Sequence, residues 1–472
     1  MVRDIHVQVL VLGSGPAGYS AAFRSSDLGL NTILVEKYNE LGGVCLNVGC
    51  IPSKFLLHIS KVIKESRELS QQGVVFNPPT IDLKKINESK NQILKKLSSG
   101  LKYMSDYRKV KILNGIGSFL NENTILVSNE NERIHVHFKD VIIATGSKSI
   151  KLPNFSIDNK YIWNSTQALS LKKIPKNLLI IGSGIIGLEM ATFYSSIGSK
   201  VDLIDRCDKI LPFLDQDVID IFIKSAKQDF NFLLNTRIDD IVLENDNIFA
   251  IISNGIDTKK VSYDAVLVAI GRSSNIENLN LDQIGVKLDN NNFIIVDQQM
   301  RTNISNIYAI GDVVGQPMLA HKGIHQGQIV AEVISGLKHY FDPIAIPSVA
   351  YTDPEIAWVG ISENEAKIKN IDYEVASFHW KLSGRAIVTS ATNGITKLII
   401  HKKTRKIIGG IIVGRQAGEL LSEITLAIEM GCHIEDISLT VHPHPTLSES
   451  IGITSQKIQG TVTDDINIKN NF

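Results

Sequence analysis

Residues 7–18 read VQVLVLGSGPAG, and this stretch decides the fold. Its first six residues are mostly apolar and predict a buried strand, which runs straight into Gly13, Gly15 and Gly18. A helical stretch follows, and residues 32–36, TILVE, predict a second strand that ends in Glu36. A strand, a glycine turn, a helix and a strand ending in an acid are typical of a dinucleotide-binding unit.

The same pattern occurs a second time, 169 residues further along the chain. Residues 178–187 read LLIIGSGIIG, with glycines at Gly182, Gly184 and Gly187, and a later strand ends in Asp205. The acid follows the third glycine by 18 residues in both copies. One such motif is a weak signal, but two matched copies predict two dinucleotide-binding domains. In each, a pyrophosphate would approach a helix N-terminus, and the acid would accept hydrogen bonds from a ribose.

Composition excludes several classes of protein. The 472 residues include 49 Lys and Arg against 49 Asp and Glu, and 43% are hydrophobic. This balance is typical of a soluble globular chain and argues against general attraction to nucleic acid, which needs a basic face. The N-terminus lacks the pattern of a signal peptide, and no run of about 18 uninterrupted apolar residues indicates a membrane span. We therefore expect a cytoplasmic protein that binds neither nucleic acid nor a membrane.

The remaining strands suggest four domains. Residues 141–146 and 266–271 end alike, in Gly146 and Gly271, but the first repeat is longer by about 44 residues that contain two cysteines. Within this insertion, residues 81–104 predict an amphipathic helix whose lysines face solvent. Another strand ends in Gly311 and Asp312, and from about residue 347 the chain resembles a separate α+β domain. The predicted division is 1–150, 151–275, 276–346 and 347–472.

Residues 42–54 read GGVCLNVGCIPSK and place Cys45 and Cys50 with four residues between them. Zinc needs four ligands, and no second pair has the spacing of a metal site. Two interpretations of the cysteine pair remain: two buried free thiols, or a redox-active disulfide. Pro52 and Ser53 favour the start of a helix just after Cys50, where the helix N-terminus would stabilise a thiolate.

A second candidate for chemistry lies near the C-terminus, where residues 442–449 read HPHPTLSE. His444 stands between two prolines, and Glu449 could orient its ring and raise its basicity. His442 is the competing histidine, and a purely structural role is the alternative for either one.

The combination of these motifs with residues 318–322, MLAHK, resembles the disulfide-containing pyridine nucleotide oxidoreductases over the whole chain. Within that family, the closest likeness is to the branch that oxidises dihydrolipoamide. The resemblance implies an α/β fold with two Rossmann-like domains, one for FAD and one for NAD, and a C-terminal α+β dimerisation domain. It also implies a homodimer.

The resemblance implies roles for individual residues. Lys54 would lie near the flavin and pair with Glu189, and Asp312 would lie on the flavin side of FAD. The acid Asp205 would favour NAD over NADP, because it repels a 2′-phosphate. The implied cofactor-binding residues are Gly13, Gly15, Gly18, Glu36, Lys54, Gly117, Gly146, Gly182, Gly184, Gly187, Glu189, Asp205, Gly271, Asp312 and Ala320.

The implied catalytic residues are Cys45, Cys50, His444 and Glu449, with no metal. His444 of one subunit would deprotonate a substrate thiol, the thiolate would attack Cys45 of the other subunit, and Cys50 would pass electrons to FAD and then to NAD. The implied partners are lipoyl domains and the acyltransferase core of 2-oxoacid dehydrogenase complexes, with glycine cleavage as a further setting.

The chain departs from this family pattern at Gln326, where an acid is usual, and at Val441 and Pro443, where alanines are usual. Related enzymes are the main alternatives. Mercuric reductase and large thioredoxin reductases need a C-terminal cysteine pair, which residues 455–472 lack. Glutathione reductase is expected to use NADP, and its second fingerprint usually ends in alanine. A nucleotide sensor without catalysis is the alternative from another class.

Overall fold

We describe the fold from a computed structural model, which covers residues 3–152, 160–244 and 247–466. The predicted domain limits at residues 1 and 472 lie outside the described residues. The helices and strands of the first part of the chain, in order, are β1 (Arg3–Leu12), α1 (Pro16–Asp27), β2 (Thr32–Glu36), α2 (Gly43–Val48), α3 (Cys50–Glu68), α4 (Leu83–Tyr107), β3 (Lys111–Asn114), β4 (Ile116–Asn121), β5 (Thr124–Ser128), β6 (Arg133–Ile143) and β7 (Ser147–Ser149).

The middle of the chain contains most of the remaining parallel strands. Its elements are β8 (Ile162–Trp163), α5 (Ser165–Leu169), β9 (Asn177–Ile181), α6 (Ile185–Ser196), β10 (Lys200–Ile204), α7 (Gln216–Ala226), β11 (Asn231–Leu233), β12 (Arg237–Glu244), β13 (Asn247–Ser253), β14 (Thr258–Tyr263), β15 (Ala265–Val268), β16 (Arg272–Ser274), β17 (Ile307–Ala309) and α8 (Ala320–Ile334).

The C-terminal part alternates strands and helices. Its elements are β18 (Ser348–Ala350), β19 (Glu355–Gly360), α9 (Glu363–Ile368), β20 (Tyr373–His379), α10 (Gly384–Val388), β21 (Ile395–His401), β22 (Ile407–Gly414), α11 (Ala417–Glu429), α12 (Ile434–Leu439) and α13 (Glu449–Gln459). Short 3-10 helices occur at Leu69–Gln72, Gly311–Val314 and Trp380–Leu382.

The first sheet contains the first glycine motif. Its strand order is β3-β2-β1-β6-β5-β4, and β17 pairs with β6. Strand β1 is parallel to both β2 and β6. Its Val9 and Val11 pack into one core and Leu10 and Leu12 into another, which explains the unbroken apolar run of the sequence.

The second sheet repeats this arrangement with the order β11-β10-β9-β15-β8, and its strands are parallel. In both sheets the glycine turn follows the carboxyl end of a central strand, where open α/β sheets bind ligands. The C-terminal sheet, β18-β19-β22-β21-β20, is antiparallel, and its core includes residues of α11, α12 and α13. The predicted fold class is confirmed, while the four domain boundaries stay a prediction.

Three details differ from the sequence interpretation. Strand β17 pairs with β6, so the segment 276–346 shares the first sheet. The helix predicted at 81–104 is α4, but the ammonium of Lys90 is buried and donates to the carbonyl of Leu169 at 2.6 Å instead of facing solvent. Helix α3 begins at Cys50 itself and not after it.

One helical stretch, residues 43–72, is long and apolar enough to cross a membrane by length and composition alone. A core helix of a soluble protein meets the same condition, and 33% of the most apolar window is buried. The stretch is therefore a weak indication of a span.

A buried lysine with three acidic partners joins the middle of the chain to its C-terminal part. Lys397 on β21 is almost fully buried, and its ammonium lies 3.2 Å from Asp215 and 2.8 Å from Asp217. Glu363, the first residue of α9, pairs with the same ammonium. Because a buried charge needs paired partners, this cluster ties α7 to the C-terminal sheet.

Candidate active site

A cavity of about 1670 Å³ extends along the carboxyl ends of the parallel strands of the first two sheets. It brings together residues that are separated by more than 300 positions in the sequence. The predicted site residues that line it are Gly13, Gly15, Glu36, Cys45, Cys50, Lys54, Gly117, Gly146, Gly182, Gly184, Glu189, Asp205, Gly271, Asp312 and Ala320. Gly18, Gly187, His444 and Glu449 are not among the described residues of this lining.

Each glycine of the first motif is favoured at its position for a different structural reason. Gly13 has a φ of +99°, which favours glycine, and a Cβ added at Gly18 would lie 1.8 Å from the carbonyl oxygen of Gly13. Gly18 therefore lets helix α1 approach the turn. Gly15 has an ordinary φ of −63°, and an added Cβ would meet no described atom within 4 Å. Gly15 thus borders open space at the start of α1, where a pyrophosphate would fit.

The second motif repeats this geometry. Gly182 has a φ of +103°, and a Cβ added at Gly187 would lie 2.0 Å from the carbonyl oxygen of Gly182. At Gly184, with φ of −74°, an added Cβ would again meet no described atom within 4 Å. Both loops thus leave the same kind of open space at a helix N-terminus.

This geometry predicts the effect of Gly184→Ala. Alanine can adopt the backbone conformation of Gly184, so the fold and the flavin content should stay unchanged. The added methyl group should weaken NAD binding by about 10- to 100-fold, because it overpacks the site. Equilibrium binding of NAD to the flavin-loaded protein measures the effect. Gly100→Ala is the matched control, because Gly100 on α4 also has open space. Equal NAD binding in Gly184→Ala and wild type would contradict this assignment.

The carboxylate of each candidate ribose acid, Glu36 or Asp205, is held by the serine between the first two glycines of its motif. Oε2 of Glu36 accepts from the backbone N–H of Ser14 at 2.9 Å and from its hydroxyl at 2.6 Å. Oδ2 of Asp205 accepts from the N–H and hydroxyl of Ser183 at 2.8 and 2.7 Å. Neither serine is among the site residues predicted from the sequence, although Gly-Ser-Gly occurs in both copies.

The carboxylate of Asp205 is also in the charged state that accepts hydrogen bonds. Partial burial opposes its ionisation, but hydrogen bonds from Cys207 and Ser183 outweigh that effect and hold its pKa below the usual value. Asp205 therefore stays charged near neutral pH. A fixed negative charge here favours a ribose with two free hydroxyls over one with a 2′-phosphate.

The two candidate redox cysteines lie on successive helices. Cys45 is on α2, and Cys50 is the first residue of α3. Both side chains are partly buried free thiols that line the cavity. Helix α3 is 19 residues long, so Cys50 lies at the N-terminus of a substantial helix dipole.

The two thiols are chemically unequal. The thiol of Cys45 donates to the sulfur of Cys50, and this hydrogen bond, aided by the charge of Lys54, lowers the pKa of Cys50 to about 7 against the effect of burial. The same hydrogen bond, together with burial, raises the pKa of Cys45. The dithiol form therefore has its thiolate on Cys50.

This inequality predicts selective alkylation of the reduced protein. Because the thiolate is the nucleophile, iodoacetamide should modify Cys50 with a midpoint near pH 7. Cys207 is exposed and serves as an internal control, because slight desolvation of its sulfur and the negative charge of Asp205 raise its pKa. Mass spectrometry of peptides alkylated between pH 5 and 10 measures both profiles. A Cys50 midpoint at or above that of Cys207 would exclude the thiolate assignment.

Lys54 and Glu189 form the predicted pair beside Cys50. The ammonium of Lys54 lies 2.9 and 3.1 Å from the two carboxylate oxygens of Glu189 and 4.5 Å from the centre of the Tyr351 ring. The backbone N–H of Tyr351 also donates to Glu189 at 3.1 Å. Burial disfavours the ammonium, but the charge of Glu189 outweighs it and raises the pKa of Lys54. A permanent cation thus lies one helical turn after Cys50.

Asp312 is held by two residues that the sequence analysis missed. The guanidinium of Arg272 donates to the hydroxyl and to the carbonyl of Ser147, both at 2.7 Å. The hydroxyl of Ser147 in turn donates to Asp312. A signal was available, because Ser147 and Arg272 directly follow Gly146 and Gly271, the glycines that end two similar strands.

Gln326, where an acid is usual in the family, keeps a hydrogen bond. Its side-chain oxygen accepts from the N–H of Gly311 at 2.8 Å, next to Asp312. The nearby ammonium of Lys322 donates to the carbonyl of Gly315 at 2.6 Å, and burial lowers the pKa of Lys322 to about 8. The side-chain oxygen of Gln326 thus accepts a hydrogen bond as a carboxylate oxygen would, but it carries no negative charge.

The structure separates the two candidate histidines. Nε2 of His442 lies 2.8 Å from Glu423 and its Nδ1 lies 3.1 Å from the carbonyl of Thr440, so both ring nitrogens are engaged and the side chain is 10% exposed. Nδ1 of His444 lies 2.8 Å from Glu449, and its side chain is 79% exposed. Of the two rings, that of His444 presents its Nε2 edge to solvent.

Glu449 is itself fixed by the start of α13. It is the first residue of that helix, and its second oxygen accepts from the N–H of Thr446 at 2.7 Å. This geometry orients the His444 ring through Nδ1. His444 lies on the surface and outside the described lining of the cavity.

Comparison with known proteins agrees with this architecture. Residues 7–327 match the pyridine nucleotide-disulphide oxidoreductase family model, and residues 346–454 match the dimerisation domain of that family. The dihydrolipoyl dehydrogenase of Buchnera aphidicola from Acyrthosiphon pisum is 59% identical, covering 100% of both chains. That of Vibrio cholerae is 52% identical over 99% of both chains, and that of Geobacillus stearothermophilus is 41% identical over 94% of both.

The fold also resembles solved structures. The HOCl-induced flavoprotein disulfide reductase RclA of Escherichia coli, in its Cu(II) complex, superposes with a TM-score of 0.86 at 24% identity, covering 96% of this chain and 99% of that one. The matched domains and the full-length relatives lead to one conclusion. The chain belongs to the pyridine nucleotide-disulphide oxidoreductase family.

Proposed function

We propose that this protein oxidises dihydrolipoamide to lipoamide with NAD+ as the final acceptor, as a homodimeric flavoprotein. The observation that supports this most strongly is the single cavity in which a cysteine pair lies between two dinucleotide loops. The relatives named dihydrolipoyl dehydrogenase, which match over the full length, support the choice of substrate.

The residues present fit the two cofactors. The open space at Gly15 and the acceptor Glu36 would hold the ADP part of FAD, and Gly184 and Asp205 would hold that of NAD. Lys54 and Asp312 would face the flavin. When bound, FAD supplies a two-electron acceptor for the dithiol and NAD+ supplies the final hydride acceptor.

The chain's own residues perform the thiol chemistry. His444 takes the proton of one substrate thiol, and the resulting thiolate attacks the sulfur of Cys45, so that the bond between Cys45 and Cys50 breaks. Cys50 leaves as a thiolate, which its pKa of about 7 favours. The second substrate thiol then attacks the substrate sulfur that is bonded to Cys45, so that this mixed disulfide breaks and the ring of lipoamide closes. As Cys45 leaves, His444 gives it the first proton and takes the proton of the second thiol.

After this exchange, the electron pair of the substrate resides in the dithiol. One proton is on Cys45, one is on His444, and Cys50 remains a thiolate next to Lys54. The ammonium of Lys54, held by Glu189, stabilises this negative charge. We propose that His444 is contributed by the partner subunit, which the dimerisation domain and the exposed His444 ring support.

A steady-state assay tests the proposed reaction. We expect the purified flavoprotein to reduce NAD+ with dihydrolipoamide and to be nearly inactive with NADPH and oxidised glutathione. Activity only in the glutathione assay would overturn the substrate assignment, and a protein that binds no flavin would overturn the enzyme assignment.

We further propose that the enzyme acts in the cytoplasm on lipoyl domains attached to the acyltransferase core of 2-oxoacid dehydrogenase complexes and on the lipoyl protein of glycine cleavage. Reduced lipoyl domains of each kind, used as substrates in parallel with free dihydrolipoamide, test this choice. A lower kcat/KM for every lipoyl domain than for the free compound would contradict it.

A further inference from the structure

A cation directly follows each of the two candidate ribose acids. Lys37 follows Glu36, and Arg206 follows Asp205. Both cations line the large cavity beside their acids. Neither has a role in the proposed reaction. An arginine close to the ribose acid of a dinucleotide site can accommodate a 2′-phosphate, so Arg206 affects which coenzyme the second site accepts.

The carboxylate of Asp205 fixes the backbone at Arg206. Oδ1 of Asp205 accepts from the backbone N–H of Cys207 at 3.0 Å, which closes a tight turn with Arg206 at its centre. The neighbouring segment supports this turn. The N–H of Thr236 donates to the carbonyl of Asp205 at 2.9 Å, and the N–H of Asn235 donates to that of Cys207 at the same distance. The side chain of Arg206 therefore starts from a fixed backbone next to the acid.

The same turn in the first unit shows how Arg206 differs from Lys37. Oε1 of Glu36 accepts from the backbone N–H of Tyr38 at 3.0 Å, so Lys37 has the equivalent position. The ammonium of Lys37 lies 4.8 Å from the centre of the Tyr38 ring, a contact that holds the cation. The second unit has Cys207 in the place of Tyr38, and a cysteine offers no ring to a cation.

The charges around Arg206 leave it available to an anion. Arg206 is exposed, and no carboxylate of the described residues forms an ion pair with it. Arg237 lines the same part of the cavity, but its Nε lies 2.7 Å from Oδ1 of Asp239. Asp208 is a further exposed acid nearby, and it is not among the described residues of the lining. Of the two arginines, Arg206 is thus the one without a carboxylate partner.

We propose that Arg206 forms a subsite for the 2′-phosphate of NADP+, so that the second dinucleotide site takes NADP+ as a weaker alternative to NAD+. A guanidinium suits this role, because it is always charged and can donate two parallel hydrogen bonds to a phosphate. Asp205 repels the 2′-phosphate while Arg206 attracts it. The preference for NAD+ therefore depends on a single carboxylate.

This inference rests on the proposed function, since it assigns a second electron acceptor to the same site. The overall reaction keeps its balance. Dihydrolipoamide gives up two electrons and two protons as its disulfide forms. NADP+ takes up the electron pair with one of these protons, as a hydride, and the other proton is released.

Equilibrium binding of NAD+ and NADP+ to the oxidised, flavin-loaded full chain tests the proposal without turnover. We expect saturable binding of both coenzymes, with a Kd for NADP+ that is about 10- to 1000-fold higher than that for NAD+. Arg206→Gln should weaken NADP+ binding by about 10-fold or more, and NAD+ binding by no more than about 3-fold. Because Arg206 is exposed, added salt should weaken NADP+ binding more steeply than NAD+ binding.

Arg237→Gln is the matched control, because it removes the same charge from the same part of the cavity. We expect it to change NADP+ affinity by less than about 3-fold, since Asp239 already pairs with this guanidinium. Asp205→Asn should bind NADP+ at least about 10-fold more tightly than wild type does, because the repulsive charge is gone. The double variant Asp205→Asn/Arg206→Gln should lose that gain.

Three results would overturn the subsite. They are the absence of saturable NADP+ binding in wild type, equal NADP+ affinity in wild type and Arg206→Gln, and a larger loss in Arg237→Gln than in Arg206→Gln. Failure of NAD+ itself to bind is a different outcome, which would overturn the proposed function and the subsite together. Flavin content and thermal unfolding of each variant verify that the fold is intact.

Discussion

We expect Cys50→Ser to abolish oxidation of dihydrolipoamide by NAD+, with kcat at least about 10³-fold lower than in wild type. Serine cannot form the disulfide or leave as a thiolate at pH 7, so no electron pair can enter the cavity through Cys45. The flavin should stay bound at full stoichiometry, because the first glycine loop and Glu36 are unchanged. Turnover and the flavin absorbance of the same preparation measure both outcomes.

Two other cysteines provide the control for this change. Cys207 is exposed and Cys432 packs against the core of the C-terminal domain, and both are free thiols. Cys207→Ser should retain wild-type turnover. If Cys50→Ser kept more than a few per cent of the activity, the dithiol would not be the route of the electrons.

His444→Gln gives the second large effect. We expect kcat to fall by about 10²- to 10⁴-fold, the usual contribution of a positioned acid-base group. The amide cannot take a proton from a thiol, and the Glu449 contact is left without its basic partner. Stopped-flow reduction of the enzyme by dihydrolipoamide should slow by the same factor, whereas reduction by NADH should change little, because that direction does not need the substrate proton.

His442→Gln is the matched control for the histidine. His442 is held by Glu423 and Thr440, so its replacement should lower the free energy of unfolding by about 1–3 kcal/mol and leave the reduction rate of folded protein near wild type. The opposite result, a slow His442 variant and a fast His444 variant, would reverse the assignment of the base.

The parallel sheets could be predicted because their signals are local. Both glycine motifs follow apolar strands, the positive φ of Gly13 belongs to the turn itself, and a Cβ at Gly18 would meet the carbonyl oxygen of Gly13, only a few positions away. The Lys54 and Glu189 pair, in contrast, is 135 residues apart in sequence, and only the resemblance to a known family indicated it.

Features that depend on contacts between distant segments could not be predicted. The position of Lys90 on α4 is typical of a solvent-facing lysine. The end of α5 covers it, however, and the carbonyl oxygen of Leu169 accepts a hydrogen bond from its ammonium. The pairing of β17 with β6 joins strands more than 160 residues apart. The order of the two cysteine pKa values depends on which thiol donates to the other, and sequence spacing does not decide that.

The hydrogen-bonded link from Arg272 through Ser147 to Asp312 could be predicted in part. Its members follow strand-ending glycines, so their positions at the carboxyl edge of a sheet could be inferred. Their contact requires the antiparallel pairing of β7 with β16, which brings the two sheets' edges together. Three-residue strands of this kind leave little periodic signal in a sequence.

One anaerobic experiment decides whether electrons pass from dihydrolipoamide to NAD+ through Cys45 and Cys50. Oxidised enzyme is mixed with one equivalent of dihydrolipoamide, quenched and alkylated, before and after addition of NAD+. We expect both cysteines to be alkylated before addition of NAD+, and NAD+ to restore the disulfide while one NADH forms per chain. Formation of NADH while Cys45 and Cys50 remain in the disulfide throughout would contradict this route.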